Sequence, residues 1–138
     1  MIILDTNVVS ELMRPKPSGA VLRWIAARPA VSLYATSISE AEILRGIATL
    51  PRGKRREALA TAARAMFESE FRDRLLAFGS DAAKCFASIA AERRTLGHPV
   101  AIFDAQIAAI ARAYGAPVAT RNIDDFADCG VTVLNPWG

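Results

Sequence analysis

The sequence predicts a single α/β domain, residues 1–138, built on a central, mainly parallel sheet of about five strands between helical layers. Three observations predict it. Short apolar runs alternate with longer helical stretches along the whole chain, the pattern of repeated strand–helix–strand units. The runs "IIL" and "LLAF" lack the polar alternation of a strand with one wet face, which suits a sheet covered on both sides. No repeat, linker or low-complexity segment divides the chain.

The elements follow in order. Residues 1–5 read as a strand. "TNVVSELM" reads as a short helix stopped by Pro15 and Pro17, and "SGAVLRWIAAR" as a second, ended by Pro29. "AVSLYAT" (30–36) is strand-like by its β-branched and aromatic content. "SEAEILRGIATL" (39–50) is helical, and "GKRREALATAARAMFESEFRDR" gives one long helix before a buried strand at 75–79. "SDAAKCFASIAAERRTLG" offers Ser80 and Asp81 as caps and closes on Gly97. "AIFDAQIAAIARAYG" is a helix ending at Gly115, "APVAT" a strand, "IDDFADCG" a turn or short helix, and "VTVLN" the last strand.

Composition narrows the function classes. The chain is 52% hydrophobic and 22% charged, enough apolar residues for a real core. A net charge of +3 accommodates a polyanion without demanding one. Cys85 and Cys129 have no paired spacing, which argues against a zinc site or a disulfide framework and for a reduced, cytoplasmic setting. No apolar run approaches the roughly 20 residues that span a bilayer, so no membrane association is expected, and the N-terminus lacks the basic start of a signal peptide. The single histidine, His98, lies in the turn-like "LGHPV", so chemistry that needs a histidine pair is excluded. No Gly-rich phosphate loop supports nucleoside triphosphate hydrolysis.

What remains is a set of carboxylates in costly places. Asp5 ends an apolar strand, where an unpaired carboxylate costs several kcal/mol; it could also cap the helix that follows. Asp104 has Ile107, Ala108 and Ala111 at i+3, i+4 and i+7, which places it on the apolar stripe of its helix. The helix dipole favours a first-turn Asp but does not turn it inward. Glu42 follows Ser39 by three residues, which fits a capping box, and could pair with Arg45. Asn122, Asp124 and Asp125 follow a strand end, where turn chemistry also explains them. In a doubly wound sheet all these positions fall at one edge. Several carboxylates can share a pocket only if a cation neutralises them, and oxygen-only ligands suit Mg²⁺ or Mn²⁺. Such an ion can activate water for attack on a phosphodiester.

"MIILDTNVVSELMRP", "SISEAEILRGI", "AIFDAQIAAIARAYG" and "VATRNIDDF" followed by "VTVLNPW" resemble, in order and spacing, the motifs of the PIN-domain family, closest to the VapC and FitB-like toxins of bacterial toxin–antitoxin pairs. The resemblance covers essentially the whole chain. It implies a three-layer PIN-like α/β/α fold and a Mg²⁺-dependent endoribonuclease (Mn²⁺ being the other candidate ion). It also implies an RNA substrate, a cognate antitoxin that silences the enzyme with a segment in a groove near the acidic site, and a homodimer. Carried over by residue, Asp5 and Asp104 are the main metal ligands. Glu42 ligates the metal or orients the attacking water, Thr6 or Asn7 supports Asp5, and Thr120 supports the fourth position. Many members have Asp where this chain has Asn122; Asp125 is the substitute carboxylate, ahead of Asp124.

Arg45 and Arg121 are candidate contacts to RNA or a partner. Arg14 and Lys16 could also touch RNA phosphate, but they read first as solvated charge, as does "GKRRE" (53–57). Leu22, Trp24 and Ile25 on one helix and Met66, Phe67 and Phe71 on another read as core. The competing functions are a non-catalytic PIN-like module that binds RNA or protein, and a haloacid-dehalogenase-type phosphatase, which wants a second Asp at the position of Asn7.

Overall fold

The computed structural model describes all 138 residues. Five parallel strands form the sheet: β1 (Ile2–Leu4), β2 (Leu33–Thr36), β3 (Leu75–Leu76), β4 (Val118–Ala119) and β5 (Val133–Leu134). Their order is β3-β2-β1-β4-β5. β1 is central, with Ile3 opposite Tyr34 on one side and Val118 on the other. The chain therefore runs outward from β1 through β2 and β3, then returns to build β4 and β5 on the opposite flank. β1 is the switch point where loops leave in both directions and a crevice opens at the carboxyl edge.

Six helices cover the sheet: α1 (Thr6–Leu12), α2 (Gly19–Ala26), α3 (Ser37–Ala48), α4 (Lys54–Arg64), α5 (Ser80–Thr95) and α6 (Ile102–Tyr114). The two-residue period of a strand sends neighbours to opposite faces. Ile3 and Val118 join the core with Ile89, Ile107 and Ile110 of α5 and α6. Leu4 and Ala119 join Val8, Val9, Ile43, Ile47 and Phe67 on the other face. Two buried clusters with the sheet between them make the three-layer α/β/α fold, and explain why β1 is apolar throughout.

Five expectations need correction. Residues 30–32 form a 3₁₀ turn and only Leu33–Thr36 is strand. Ser32 folds the turn by donating both its backbone N–H (3.0 Å) and its hydroxyl (2.6 Å) to the Pro29 carbonyl. The long helix is α4 continued as a π-helical segment, Ala65–Glu70, in which the Phe71 N–H reaches Met66 O, five residues back, at 2.9 Å; apolar spacing does not distinguish a π turn from an α turn. The strand expected at 75–79 has two half-buried residues because β3 is an edge strand with one neighbour. Ser80 and Asp81 occupy the first turn of α5 and Gly79 is its N-cap, with no side-chain cap. Helix α6 ends as expected: Gly115 is left-handed at φ 64°, where a Cβ would be strained. Of the apolar stripes read as core, Phe67 and Phe71 are buried, whereas Leu22 is exposed.

One buried cation holds a loop that matters below. Arg93 of α5 is 7% exposed. Its Nε donates to His98 O at 2.6 Å, and its Nη1 to Asp125 O and Ala127 O, both at 2.9 Å. It thus pins the 3₁₀ turn Ile123–Phe126, whose Phe126 is buried, against α5. Removing it strands these carbonyls around a cavity. Arg93→Ala is expected to cost about 2–4 kcal/mol in denaturant unfolding; a loss below about 0.5 kcal/mol would show that solvent replaces the staple.

Candidate acidic active site

Asp5 is the first residue after β1 and the N-cap of α1. It is 4% exposed. Both of its oxygens are occupied: Oδ1 accepts the Thr6 N–H and Oδ2 the Thr120 hydroxyl, each at 2.8 Å. The capping role weighed from sequence and the buried-carboxylate role are therefore the same fact. Thr120, fully buried just after β4, gives its proton to Asp5 and accepts from Asn7 Nδ2 (3.2 Å) and the Asn122 N–H (3.0 Å). Asn7 Oδ1 takes the Arg121 N–H at 3.3 Å. One hydroxyl and one amide thus lock the loop after β4 to the loop after β1.

For Glu42, neither the capping box nor the Arg45 pair weighed from sequence forms. Helix α3 begins at Ser37, and its N-cap is Thr36, whose Oγ1 accepts the Ser39 N–H at 3.1 Å. Ser39 lies inside the helix, so no capping box forms around it. Thr6 Oγ1 instead donates to Glu42 Oε1 at 2.7 Å and lies 2.8 Å from Ser39 Oγ. A hydroxyl has one proton to give. With the Thr6 proton on Glu42, Ser39 is the donor to Thr6, and the chain runs Ser39 to Thr6 to Glu42. Glu42 makes no ion pair with Arg45; the Arg45 guanidinium stands 5.9 Å from the Phe103 ring centroid. Sequence spacing could not reveal this, because a capping box and a helix carrying an inward Glu share the same letters.

Asp104 lies in the first turn of α6, half-buried, with Ile107, Ala108 and Ala111 at 0% exposure on its stripe. Asp5, Glu42, Asp104, Thr6, Asn7, Arg121 and Asn122 line one cleft of about 490 Å³. Asp124 and Asp125 line the adjoining depression, with Arg121 and Asn122 at the boundary. Glu11 and Trp137 also line the cleft and were not singled out as site residues from sequence, and Arg14, read there mainly as solvated charge, joins them. Glu11 is 7% exposed, accepts the Ser18 N–H at 3.0 Å and holds Arg14 Nη1 at 3.3 Å. Its only sequence signal was a charge among the apolar residues of a short helix. Lys16 and His98 are exposed and take no part.

The electrostatics are those of an anionic pocket short of positive charge. Burial raises the Asp5 pKa to about 6, the Thr120 and Thr6 bonds oppose the rise, and Glu42 and Asp125 add to it. Burial likewise raises Asp104 to about 6, with Asp5, Asp125 and Glu42 adding repulsion and Arg93 opposing. Asp125 contributes to the rise at both carboxylates. No three Asp, Glu, His or Cys side chains are gathered tightly enough to grip an ion among them; the set is open. The donors are nonetheless all oxygen, and burial makes two of them resist ionisation. That chemistry fits a hard divalent ion that keeps several of its waters.

Beside the cleft runs an apolar groove of about 810 Å³ between α1, α3 and α4. Met13, Ile43, Ile47 and Leu59 line it, and it shares Thr6, Arg14 and Glu42 with the cleft.

The fold and cleft define a class: a parallel α/β domain with carboxylates gathered where the strand order switches. The PIN domain family model matches residues 2–130, and the chain belongs to that family. It is 42% identical over 137 residues to plasmid stability protein StbB of Pseudomonas syringae pv. tomato, covering 99% of both chains. It is 39% identical to VapC ribonuclease Y4jK of Sinorhizobium fredii, covering 99% of this chain and 98% of that one. Toxin FitB of Neisseria gonorrhoeae is 36% identical, with 99% of both covered. The structure of FitAB bound to an IR36 DNA fragment contains a chain that superimposes with a TM-score of 0.91 at 36% identity, over 100% of this chain and 96% of that one.

The raised pKa of Asp5 fixes the sign of a pH effect. Folded Asp5 holds its proton up to about pH 6, whereas the unfolded chain releases it near the ordinary 3.8. Between those values the folded state binds more protons, so stability falls as pH rises; above about 6 the full cost, about 3 kcal/mol, is present. Asp5→Asn removes that cost but leaves one oxygen to serve Thr6 and Thr120. In EDTA it is expected to stabilise the protein by about 1–2 kcal/mol at neutral pH in urea unfolding, with the gain gone near pH 4. An equal loss at both pH values would mean that the buried carboxylate costs nothing.

Proposed function

We propose that this chain is a Mg²⁺-dependent endoribonuclease toxin, hydrolysing RNA phosphodiester bonds at the Asp5 cleft and held inactive by a cognate antitoxin. The observation that carries the reading is a buried carboxylate, Asp5, that shares an under-neutralised cleft with Asp104 and Glu42. The names of two relatives, a VapC ribonuclease and a toxin, support the same reading. Metal dependence rests on the donor set, and Mn²⁺ would serve the same oxygens.

Asp5, Asp104 and Glu42 would hold the ion. Once bound, it supplies charge neutralisation and a water acidic enough to attack phosphorus at neutral pH. The protein's own contribution is positional. Thr120 and the Thr6 N–H fix the two Asp5 oxygens. The hydroxyl chain from Ser39 through Thr6 holds Glu42 by Oε1 and leaves Oε2 without a protein partner, available to orient a water or accept its proton. Asn122 offers a carbonyl oxygen to the cleft without charge, and Asp125, whose charge reaches both Asp5 and Asp104, supplies the fourth acidic position.

The groove along α1, α3 and α4 suits an apolar segment of the antitoxin, and its open end at Glu42 would let a basic side chain of that segment enter the carboxylates in place of metal. The homodimer implied by the family belongs to the same reading.

The test is cleavage of a mixed RNA panel by antitoxin-free protein. Cleavage is expected to need Mg²⁺, to stop in EDTA, and to fall by at least about 10³-fold in folded Asp5→Asn and Asp104→Asn. No cleavage with any divalent ion, and no carboxylate-dependent ion binding, would favour a non-catalytic binding module. Asp125→Asn is expected to lower the rate about tenfold and Asp124→Asn to leave it within about twofold. The reverse order would move the fourth position to Asp124.

A further inference from the structure

The acidic cleft has a single aromatic side chain on its wall, Trp137. Its position is fixed. The Trp137 backbone N–H donates to Asn135 Oδ1 at 2.9 Å, the Gly138 N–H closes the same turn on Asn135 O at 3.1 Å, and the indole packs partly against the core on the α1 side. The guanidinium of Arg121 stands 5.1 Å from the indole centroid.

The other tryptophan supplies a contrast. Arg28 sits 3.6 Å from the Trp24 centroid and donates to the Trp24 carbonyl at 2.7 Å, a closed contact with its donor engaged. Arg121 is different. Its backbone N–H is held by Asn7, but its exposed guanidinium makes neither a hydrogen bond nor an ion pair, although the cleft beside it is lined with carboxylates. Arg14, the second cation on the cleft, is already engaged by Glu11. Arg121 is thus the one basic group of the cleft with every side-chain donor free, next to a fixed aromatic ring.

An anionic cleft repels an RNA backbone, so some cation must bring a phosphate into it. A guanidinium binds phosphate through paired N–H groups, and an indole stacks on any unpaired base. We propose that Arg121 and Trp137 form a nucleotide subsite, with Arg121 binding a phosphate of single-stranded RNA and Trp137 stacking on an adjacent base. This rests on the ribonuclease reading and adds where and how the strand is held. Arg121 follows Thr120 directly, so the subsite is tied by backbone to the residue that fixes Asp5. A phosphate on Arg121 is thereby placed at the mouth of the carboxylate cleft.

The chain has two tryptophans, so Trp24→Phe leaves Trp137 as the sole indole. In that protein carrying Asp5→Asn, which keeps RNA uncut, a short oligouridylate is expected to quench the indole emission, and an abasic strand of equal charge is expected to bind without quenching. By anisotropy of labelled strands, Trp137→Leu is expected to weaken oligouridylate about tenfold and leave the abasic strand unchanged, Trp137→Phe to recover most of the loss, and Arg121→Gln to weaken both strands about tenfold. A merely structural role for Trp137 would weaken both strands alike and would not be rescued selectively by Phe. Oligouridylate that binds with unmoved emission and equal affinity for Trp137→Leu overturns the subsite, while cleavage by the unsubstituted chain would leave the nuclease reading standing. Absence of both binding and cleavage overturns the two together.

Discussion

The structure turns on one bond, from the Thr120 hydroxyl to Asp5 Oδ2 at 2.8 Å. It joins the ends of two adjacent strands, β1 and β4, at the point where the strand order reverses. A carboxylate at the end of a central strand is expensive to desolvate, and two neutral donors reduce that cost without cancelling it. Its pKa stays above the ordinary carboxylate range because burial and like-charged neighbours outweigh the hydrogen bonds. Folding therefore leaves part of the cost of burying this carboxylate unrecovered.

Everything near the site serves to keep that tension in place. The loops after β1 and β4 are cross-linked by Asn7 and Thr120. Arg93 pins the turn that carries Asp125 from behind, spending its donors on carbonyls rather than carboxylates. It moderates Asp104 without neutralising the cleft. Glu42 is steadied by hydroxyls instead of Arg45. A stability-optimised sequence would replace such carboxylates with neutral groups, so their retention fits a site selected for chemistry.

The fold was legible because its strands are short, apolar on both faces and separated by helices that end at Gly or before Pro. Asp104 was legible because a helix stripe makes an inward carboxylate conspicuous, and Asp5 because an apolar run should not end on a charge. Glu42 was only half legible: its letters also spell a capping box, and only the tertiary contact with Thr6, far off in sequence, decides between them. The buried roles of Arg93 and Glu11 were hidden, since one charged residue among similar neighbours carries no local mark of the partners it will find. Trp137 was quoted only as the end of the closing "VTVLNPW" motif, and only the fold brings it beside Arg121. The π turn after α4 and the 3₁₀ turn before β2 alter hydrogen-bond register without altering apolar spacing, so pattern reading passes over both.

The central claim is that Asp5 and Asp104 share a divalent cation. Anomalous diffraction from crystals of the antitoxin-free protein soaked in Mn²⁺ tests it most directly. The expected result is a strong peak coordinated by both carboxylates, absent from Asp5→Asn crystals. A cleft that stays free of anomalous density at saturating Mn²⁺, or a peak held by other carboxylates alone, would contradict it.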